Sequence, residues 1–392
     1  MTLNWTQTII TFTDYFVQRG HRPIPGSSLV PAGEDPVLFT TAGMHPLTPY
    51  LEGRPHPDGR RLTGVQRCLR TTDLDEVGDD THLTVFQMLG SWSLGDYEGP
   101  QSLRWGYELV TDGFGIGHDK LYATGFGGDE QVEPDTESVQ TWNDLGVPVE
   151  LTTEDNWWSN GPVGPCGPDS ELFVWTGDGP PVGTPGTDGR WMELWNHVTM
   201  RYLRLDDGSL APLPQPSVDT GMGLERLLMV TQRQSSVFGC DVFEPWTSTL
   251  PALWQPDPRS LRILVDHLRA SIVIIRDGVR PSNTRRGYVL RRLLRKALTV
   301  LWREDRTRSV LDLPASLIEH TSQVFGLGQG DGQRHDVRDV LREEERRFGG
   351  LLTRGRKVLE RYEPGQRLTE QELTYLHETH GLPPELVADL LR

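Results

Sequence analysis

Cysteine is scarce in this chain: 392 residues hold only Cys68, Cys166 and Cys240. So few, so widely spaced and odd in number, they argue against a disulfide framework or a thiolate metal cage and fit a reducing cytoplasm. An unbroken apolar run long enough for a membrane helix is also missing, so no membrane partner is expected. The opening "MTLNWTQTIITFTDYF" has neither the basic start nor the small-residue cleavage site of a signal peptide. A Walker-type loop is lacking where it would be sought. "SVDTGMGLERLL" (217–228) has no Gly-Lys-Ser/Thr and misses the G-x-G-x-x-G spacing. A phosphate bound there is held by another route.

Positive charge is deficient overall, with a formal net of −16, and this disfavours a polyanionic partner for the chain as a whole. The deficit is uneven. Arg262 to Arg308 holds thirteen Lys+Arg against four Asp+Glu, a net of +9, leaving −25 elsewhere. Such an island is either a solvated helix face or a polyanion footprint.

The pattern divides the chain. Trp5, Ile9, Phe12 and Phe16 predict a helix over 4–19, stopped at Gly20. From about 22 to 250, β-rich pieces such as "VLFTTAG", "KLYATGF", "SELFVWTG" and "HVTMRYLRL" alternate with Gly/Pro/Asp turns. Ten of the twelve tryptophans lie before residue 250, as a single sheet-centred core would place them. "GDGPPVGTPGTDGR" (177–190) reads as a surface loop. After "WQPDPRS" the texture is helical, and "RGYVLRRLLRKALTVLWRE" puts Val289, Leu290, Leu293, Leu294, Ala297, Leu298 and Leu301 on one face. A last short helix is expected after Pro384. The fold class expected is α+β: a sheet domain over 1–255, then an all-α domain over 256–392.

Four segments share one texture, rigid backbone with a charge or aromatic at a set point. They are "QRCLRTTDLDEVGDDTHLTVFQMLGSWSLGDY", "NWWSNGPVGPCGPDSELFVWTG", "MELWNHVTM" and "SVDTGMGLER". Each has an ordinary structural reading alone, because Gly-Pro runs make turns and paired tryptophans fill cores. Together, in this order, they resemble the aminoacylation half of alanyl-tRNA synthetases, a class II family. The resemblance begins at "GSSLVPAGEDPVLFTTAGM", runs on through "RILVDHLRASIVIIRDGVRPSNTRRGYVLRRLLRKA" and reaches "HETHGLPPELV". It implies a six- or seven-stranded antiparallel sheet flanked by helices that holds ATP, then a helical tRNA-recognition domain.

The resemblance also implies roles. Arg70 falls on the motif 2 arginine that holds the α-phosphate, and Arg226 on the motif 3 arginine over the adenine. His82 and Met88 lie where the family contacts ATP, and Glu225 where it contacts Mg²⁺. Asp219 matches the carboxylate that binds the substrate ammonium. Gly221, Trp158, Asn196 and Val198 match the walls around a methyl side chain. Asn283, with Arg285, Arg291, Arg292 and Arg295, is expected to face tRNA. The implied activity is ATP-dependent activation of alanine and its transfer to tRNA.

This chain departs from the family in several places. No histidines have the H-x-x-x-H spacing of the editing zinc site, the nearest pair being His377 and His380, so no editing in cis is expected. The motif 2 loop "RTTDLDEVG" is short. Gln87 stands where the family has glutamate, Ser91 where it usually has asparagine, and Glu378 and Glu385 where it prefers aspartate. These departures keep a second reading open, in which alanine or another small amino acid is activated for a carrier protein or small molecule instead of tRNA.

Overall fold

The computed structural model describes residues 2–31, 37–327, 336–363, 365–380, 382, 387–388 and 391. The N-terminal helix α1 (Trp5–Val17) opens with a capping box: the Asn4 side chain accepts from the Gln7 amide, and the Gln7 side chain answers. The elements that follow are β1 (Arg22–Ile24), α2 (Thr48–Leu51), β2 (Arg61–Leu69), β3 (Val85–Ser93), α3 (Gly99–Glu108), β4 (Leu121–Phe126), α4 (Thr136–Asp144), β5 (Val149–Thr152), β6 (Trp157–Ser159), β7 (Gly164–Trp175), β8 (Trp191–Arg204) and β9 (Leu210–Gly223). Helices alone come next: α5 (Leu224–Thr231), α6 (Glu244–Trp254), α7 (Pro258–Arg276), α8 (Arg285–Glu304), α9 (Ala315–Val324), α10 (Val337–Leu359) and α11 (Glu370–His380).

Nine strands form one sheet in the order β1-β2-β3-β9-β8-β7-β4-β5, with β6 on the side of β7. The sheet is mixed, which corrects the antiparallel six or seven strands expected. Its centre is antiparallel, but β1–β2 and β4–β5 are parallel pairs. The physical reason is the connection: β4 and β5 are joined through α4, and a helical crossover returns the chain in the same direction. "VLFTTAG" is another correction, since it forms no strand. Its links are isolated, with the Thr40 amide bonded to the Leu29 carbonyl and the Thr40 carbonyl to the Leu69 amide. The 177–190 segment is a loop, as composition suggested. The helix expected after Pro384 lies largely outside the described residues, as do Glu385 and the side chains of His377 and Glu378.

Strand pleating gives the sheet two unlike faces. The cross-strand row Leu89–Met222–Trp195–Leu172–Ala123 points into the main core. Phe12 and Phe16 of α1 meet Trp195 there, with ring centroids 5.6 and 6.2 Å apart. The neighbouring row, Gly90–Gly221–Asn196–Glu171–Thr124, faces the other way. A smaller apolar cluster on that second face includes Met88, Trp92, Val198 and Met200.

Among the described residues no strand follows Gly223, so the change to helix falls at the end of β9, ahead of 255. Asp257 caps α7 by accepting from the Arg259 and Ser260 amides, with Pro258 pre-set at the first helical position. The apolar face expected of α8 is buried throughout, and the main core runs unbroken from α1 through the sheet to α10. All three cysteines are buried and free. No helix among the described residues is long and apolar enough to cross a membrane.

Candidate active site

The sheet's second face carries an open cleft of about 540 Å³ lined by Arg70, His82, Phe86, Met88, Glu193, Gly221, Gly223, Glu225 and Arg226, among others. Six expected ATP-side and pocket residues are thus brought together from four places: the residue after β2, the segment before β3, the middle of β3, and the β9–α5 junction. Antiparallel pairing explains the meeting, because Met88 stands opposite Gly223.

The two arginines differ in what holds them. Arg226 is anchored, with Nη1 donating to the Glu193 carbonyl at 3.0 Å and to its carboxylate at 2.9 Å. Arg70 has no carboxylate partner among the described residues. Its guanidinium carbon lies 5.3 Å from the centre of the Phe86 ring. A planar guanidinium at the mouth of a cleft suits an oxyanion such as phosphate, two of whose oxygens can accept parallel hydrogen bonds. His82 is held on both sides, with Nδ1 2.5 Å from Asp79 Oδ2 and Nε2 3.1 Å from Glu76 Oε2. Glu225 lines the cleft floor yet is almost fully buried, and both its oxygens accept from the Gln87 amide at 3.1–3.2 Å. Burial pushes its carboxyl up to about 7, against the pull of Arg269.

Beside the cleft, the residues expected around the amino acid form one patch. Asn196 is paired with Gly221, and Val198 with Asp219. Trp158 on β6 packs against the small cluster that contains Met88, Trp92 and Val198. Asp219 is buried, accepts from Trp92 Nε1 at 2.7 Å, and is pushed up to about 7 by burial, opposed by that bond. A buried carboxylate with one neutral donor is under-compensated, and an ammonium would complete it.

Sequence reading missed several members of this face. Trp92 is one, because an indole two residues from a glycine carries no mark of its role. Gly90 is another. A Cβ there would lie 2.3–2.4 Å from the Trp92 ring, so only glycine lets the indole lie flat and reach Asp219. The acidic floor is a third. Asn196 Nδ2 donates to Asp169 Oδ2 at 2.5 Å, and Glu171 and Glu193 lie alongside. Burial and then the Glu193 and Asp169 charges push Glu171 up to about 9, and burial pushes Asp169 up to about 7. The substituted positions Gln87 and Ser91 are buried too, on the core-facing side of β3 with Leu89: Ser91 bonds Thr220 through its amide and hydroxyl, at 3.1 and 2.9 Å.

The packing at Gly90 has a measurable consequence. Gly90→Ala should cost about 1–3 kcal/mol of stability, since displacing the indole removes a buried donor from Asp219. A denaturant or thermal melt reads the loss, and an unchanged melt refutes the role given to Trp92.

The residues expected to face nucleic acid are split. Asn283, Arg285 and Arg292 are exposed, with Tyr288 (52% exposed) between the two arginines on the same helical side. Arg291 and Arg295 turn inward: their Nε atoms lie 3.3 and 2.8 Å from Glu344 of α10, itself buried, and Arg291 also reaches Asn283. A buried carboxylate demands such partners, so part of the basic island balances the fold's own charge.

The family model "tRNA synthetases class II (A)" matches residues 9–392. An alanine–tRNA ligase of Rubrobacter xylanophilus is 40% identical over 412 residues, covering 97% of this chain and 46% of the relative. One from Treponema pallidum is 40% identical over 411 residues, covering 96% and 66%. One from Treponema denticola is 44% identical over 327 residues, covering 78% and 54%. The chain therefore spans about half to two thirds of the length of these relatives. With the family model matched from the first helix to the last residue, the chain belongs to the class II (A) tRNA synthetases.

Proposed function

We propose that this chain activates alanine with ATP to alanyl-adenylate and transfers the alanyl group to tRNA. The observation that carries the reading is adjacency: Gly221 lines the arginine cleft and is paired with both Gly90 and Asn196, beside Asp219. The amino-acid patch and the nucleotide cleft thus share a wall. The relatives' names, alanine–tRNA ligase, supply the amino acid and the acceptor.

In this reading one alanine carboxylate oxygen attacks the α-phosphorus of ATP. An O–P bond forms as the bond to the pyrophosphate oxygen breaks, and no side-chain nucleophile is needed. Asp219 holds the ammonium, while Gly221, Trp158, Asn196 and Val198 bound the methyl and Met88 lies on the nucleotide side. Arg70 faces the phosphate under attack, and Arg226, fixed by Glu193, faces the nucleotide. Catalysis rests on positioning and on guanidinium charge met by the transition state. Mg²⁺ bound with ATP would neutralise phosphate charge. Glu193 and Glu225 line the cleft, and no cluster of three or more metal-ligating side chains occurs among the described residues. Phosphates and water would therefore supply most of its ligands, as Mg²⁺ tolerates.

A pocket that recognises one methyl rejects glycine and serine only weakly. Nothing in the 392 residues matches an editing zinc site, so both are proposed to be misactivated here and not cleared by these residues. The test is ATP–pyrophosphate exchange with each amino acid, followed by charging of alanine tRNA. Alanine should support the fastest exchange, and salt-sensitive charging should follow. No alanine-dependent exchange sinks the reading. Strong exchange without charging replaces tRNA by the small-molecule or carrier acceptor.

A further inference from the structure

The segment from Arg70 to Thr84 carries both Arg70 and His82 over the cleft. It closes on itself by one backbone bond, the Arg70 amide to the Thr84 carbonyl at 3.1 Å. Side chains from the helical region hold it from behind. The Thr84 amide donates to Asp266 Oδ1 at 2.8 Å, and Asp266 Oδ2 meets His267 Nδ1 at 2.9 Å. Both of those α7 side chains are fully buried. One turn earlier on α7, Arg262 pairs with Asp80 at 2.6 Å and donates to the Gly78 carbonyl at 3.3 Å. On α8, Lys296 donates to the Leu74 carbonyl at 2.9 Å.

We infer that Asp266 and Arg262 are positioning residues for Arg70, so that α7 forms the back wall of the phosphate cleft. Arg70 needs such a wall because its guanidinium has no carboxylate among the described residues to locate it. Its position depends on where its backbone stands, and that backbone is tied to Thr84, whose other side is tied to Asp266. A displacement of about 1 Å in a group that meets the transition state costs on the order of a hundred-fold. A carboxylate suits this position because it accepts from the Thr84 amide with one oxygen and from His267 with the other. The Thr84 amide and the His267 Nδ1 donor are thus both answered at that point. The inference rests on the nucleotide reading of the cleft but adds two residues outside it.

The test uses the full chain. Asp266→Ala should raise the KM for ATP about ten-fold, with the KM for alanine within two-fold (roughly). Asp266→Asn keeps an acceptor for the Thr84 amide and should restore the ATP KM to near the wild-type value. Arg262→Gln, partly exposed and outside the core, should raise it by roughly two- to five-fold and guards against a misfolded Asp266→Ala. A purely structural defect lowers the fraction of active protein, read from the burst of adenylate formation, without moving KM. Amide hydrogen exchange over 70–84 gives a readout independent of activity: faster in Asp266→Ala and Arg262→Gln, unchanged in Asp266→Asn. Unaltered ATP KM and unaltered protection in both Asp266→Ala and Arg262→Gln overturn the inference. If the wild type exchanges with no amino acid, the proposed function fails, while hydrogen exchange still decides the wall.

Discussion

Arg70→Ala is expected to lower alanine-dependent ATP–pyrophosphate exchange by about 10²- to 10³-fold, the loss typical of removing one donor that meets developing charge. The fold should be untouched. Arg70 follows the last residue of β2 at the cleft, makes no ion pair among the described residues, and has its guanidinium carbon 5.3 Å from the Phe86 ring centre. Its removal orphans no buried carboxylate, so the melting temperature should shift little. Arg226→Ala offers the contrast, because it strips Glu193 of its partner and adds a local cost to the catalytic one. Arg70→Lys should recover only part of the rate, since an ammonium cannot donate two parallel hydrogen bonds to a phosphate. The checks are kcat/KM for exchange beside a thermal melt. A loss below ten-fold (roughly) with an intact fold would remove Arg70 from the chemistry.

Asp219→Asn carries the second large effect. Removing one partner of a buried charge pair costs about 3–5 kcal/mol, on the order of a hundred-fold or more in alanine KM, whereas the KM for ATP should barely move. The Trp92 N–H can still donate to the amide oxygen, so the loss isolates the charge from the packing. A pH signature accompanies it. Burial raises the Asp219 carboxyl to about 7 in the unliganded protein. Protonated, it cannot pair an ammonium, so alanine KM should fall as pH rises from 6 to 8. Stability runs the other way. A group with a raised folded pKa contributes stability in full below its unfolded range, near 4, and loses it as pH climbs through 7. Asp169 and Glu225 are shifted to about 7 in the same direction. The unliganded protein should therefore melt higher at pH 6 than at pH 8. Asp219→Asn should flatten the pH dependence of alanine KM, and a slope that survives the substitution would assign it elsewhere.

Much of the chemistry was legible one residue at a time. Motif order singled out Arg70, Asp219, Gly221 and Arg226, which the fold gathers on one face of the sheet, and apolar periodicity drew α1 and α8 nearly to their observed ends. Those readings are local: spacing along one strand or one helix face, which covalent geometry makes periodic. The site's outer limits were not local. Gly90 matters because of an indole two residues on, and that indole matters because β9 brings Asp219 beneath it. Strand pairing across more than a hundred residues creates that arrangement, and no window of sequence contains it.

The basic island shows the same division. Composition established that 262–308 carries excess positive charge, but it could not say how much of that charge was already answered. Glu344, about fifty positions beyond, comes back against Arg291 and Arg295 and leaves Asn283, Arg285 and Arg292 facing outward. The parallel pairs at the two ends of the sheet were hidden for a related reason. A crossover that returns the chain in the same direction, and the bond from the Thr84 amide to buried Asp266 of α7, belong to the packed chain. The order of residues along the chain was enough to show the family and which charged, small and aromatic groups are present. Where each of those groups stands, and which already has a partner, was decided by folding. Pairing, burial and charge compensation are set by neighbours distant along the chain.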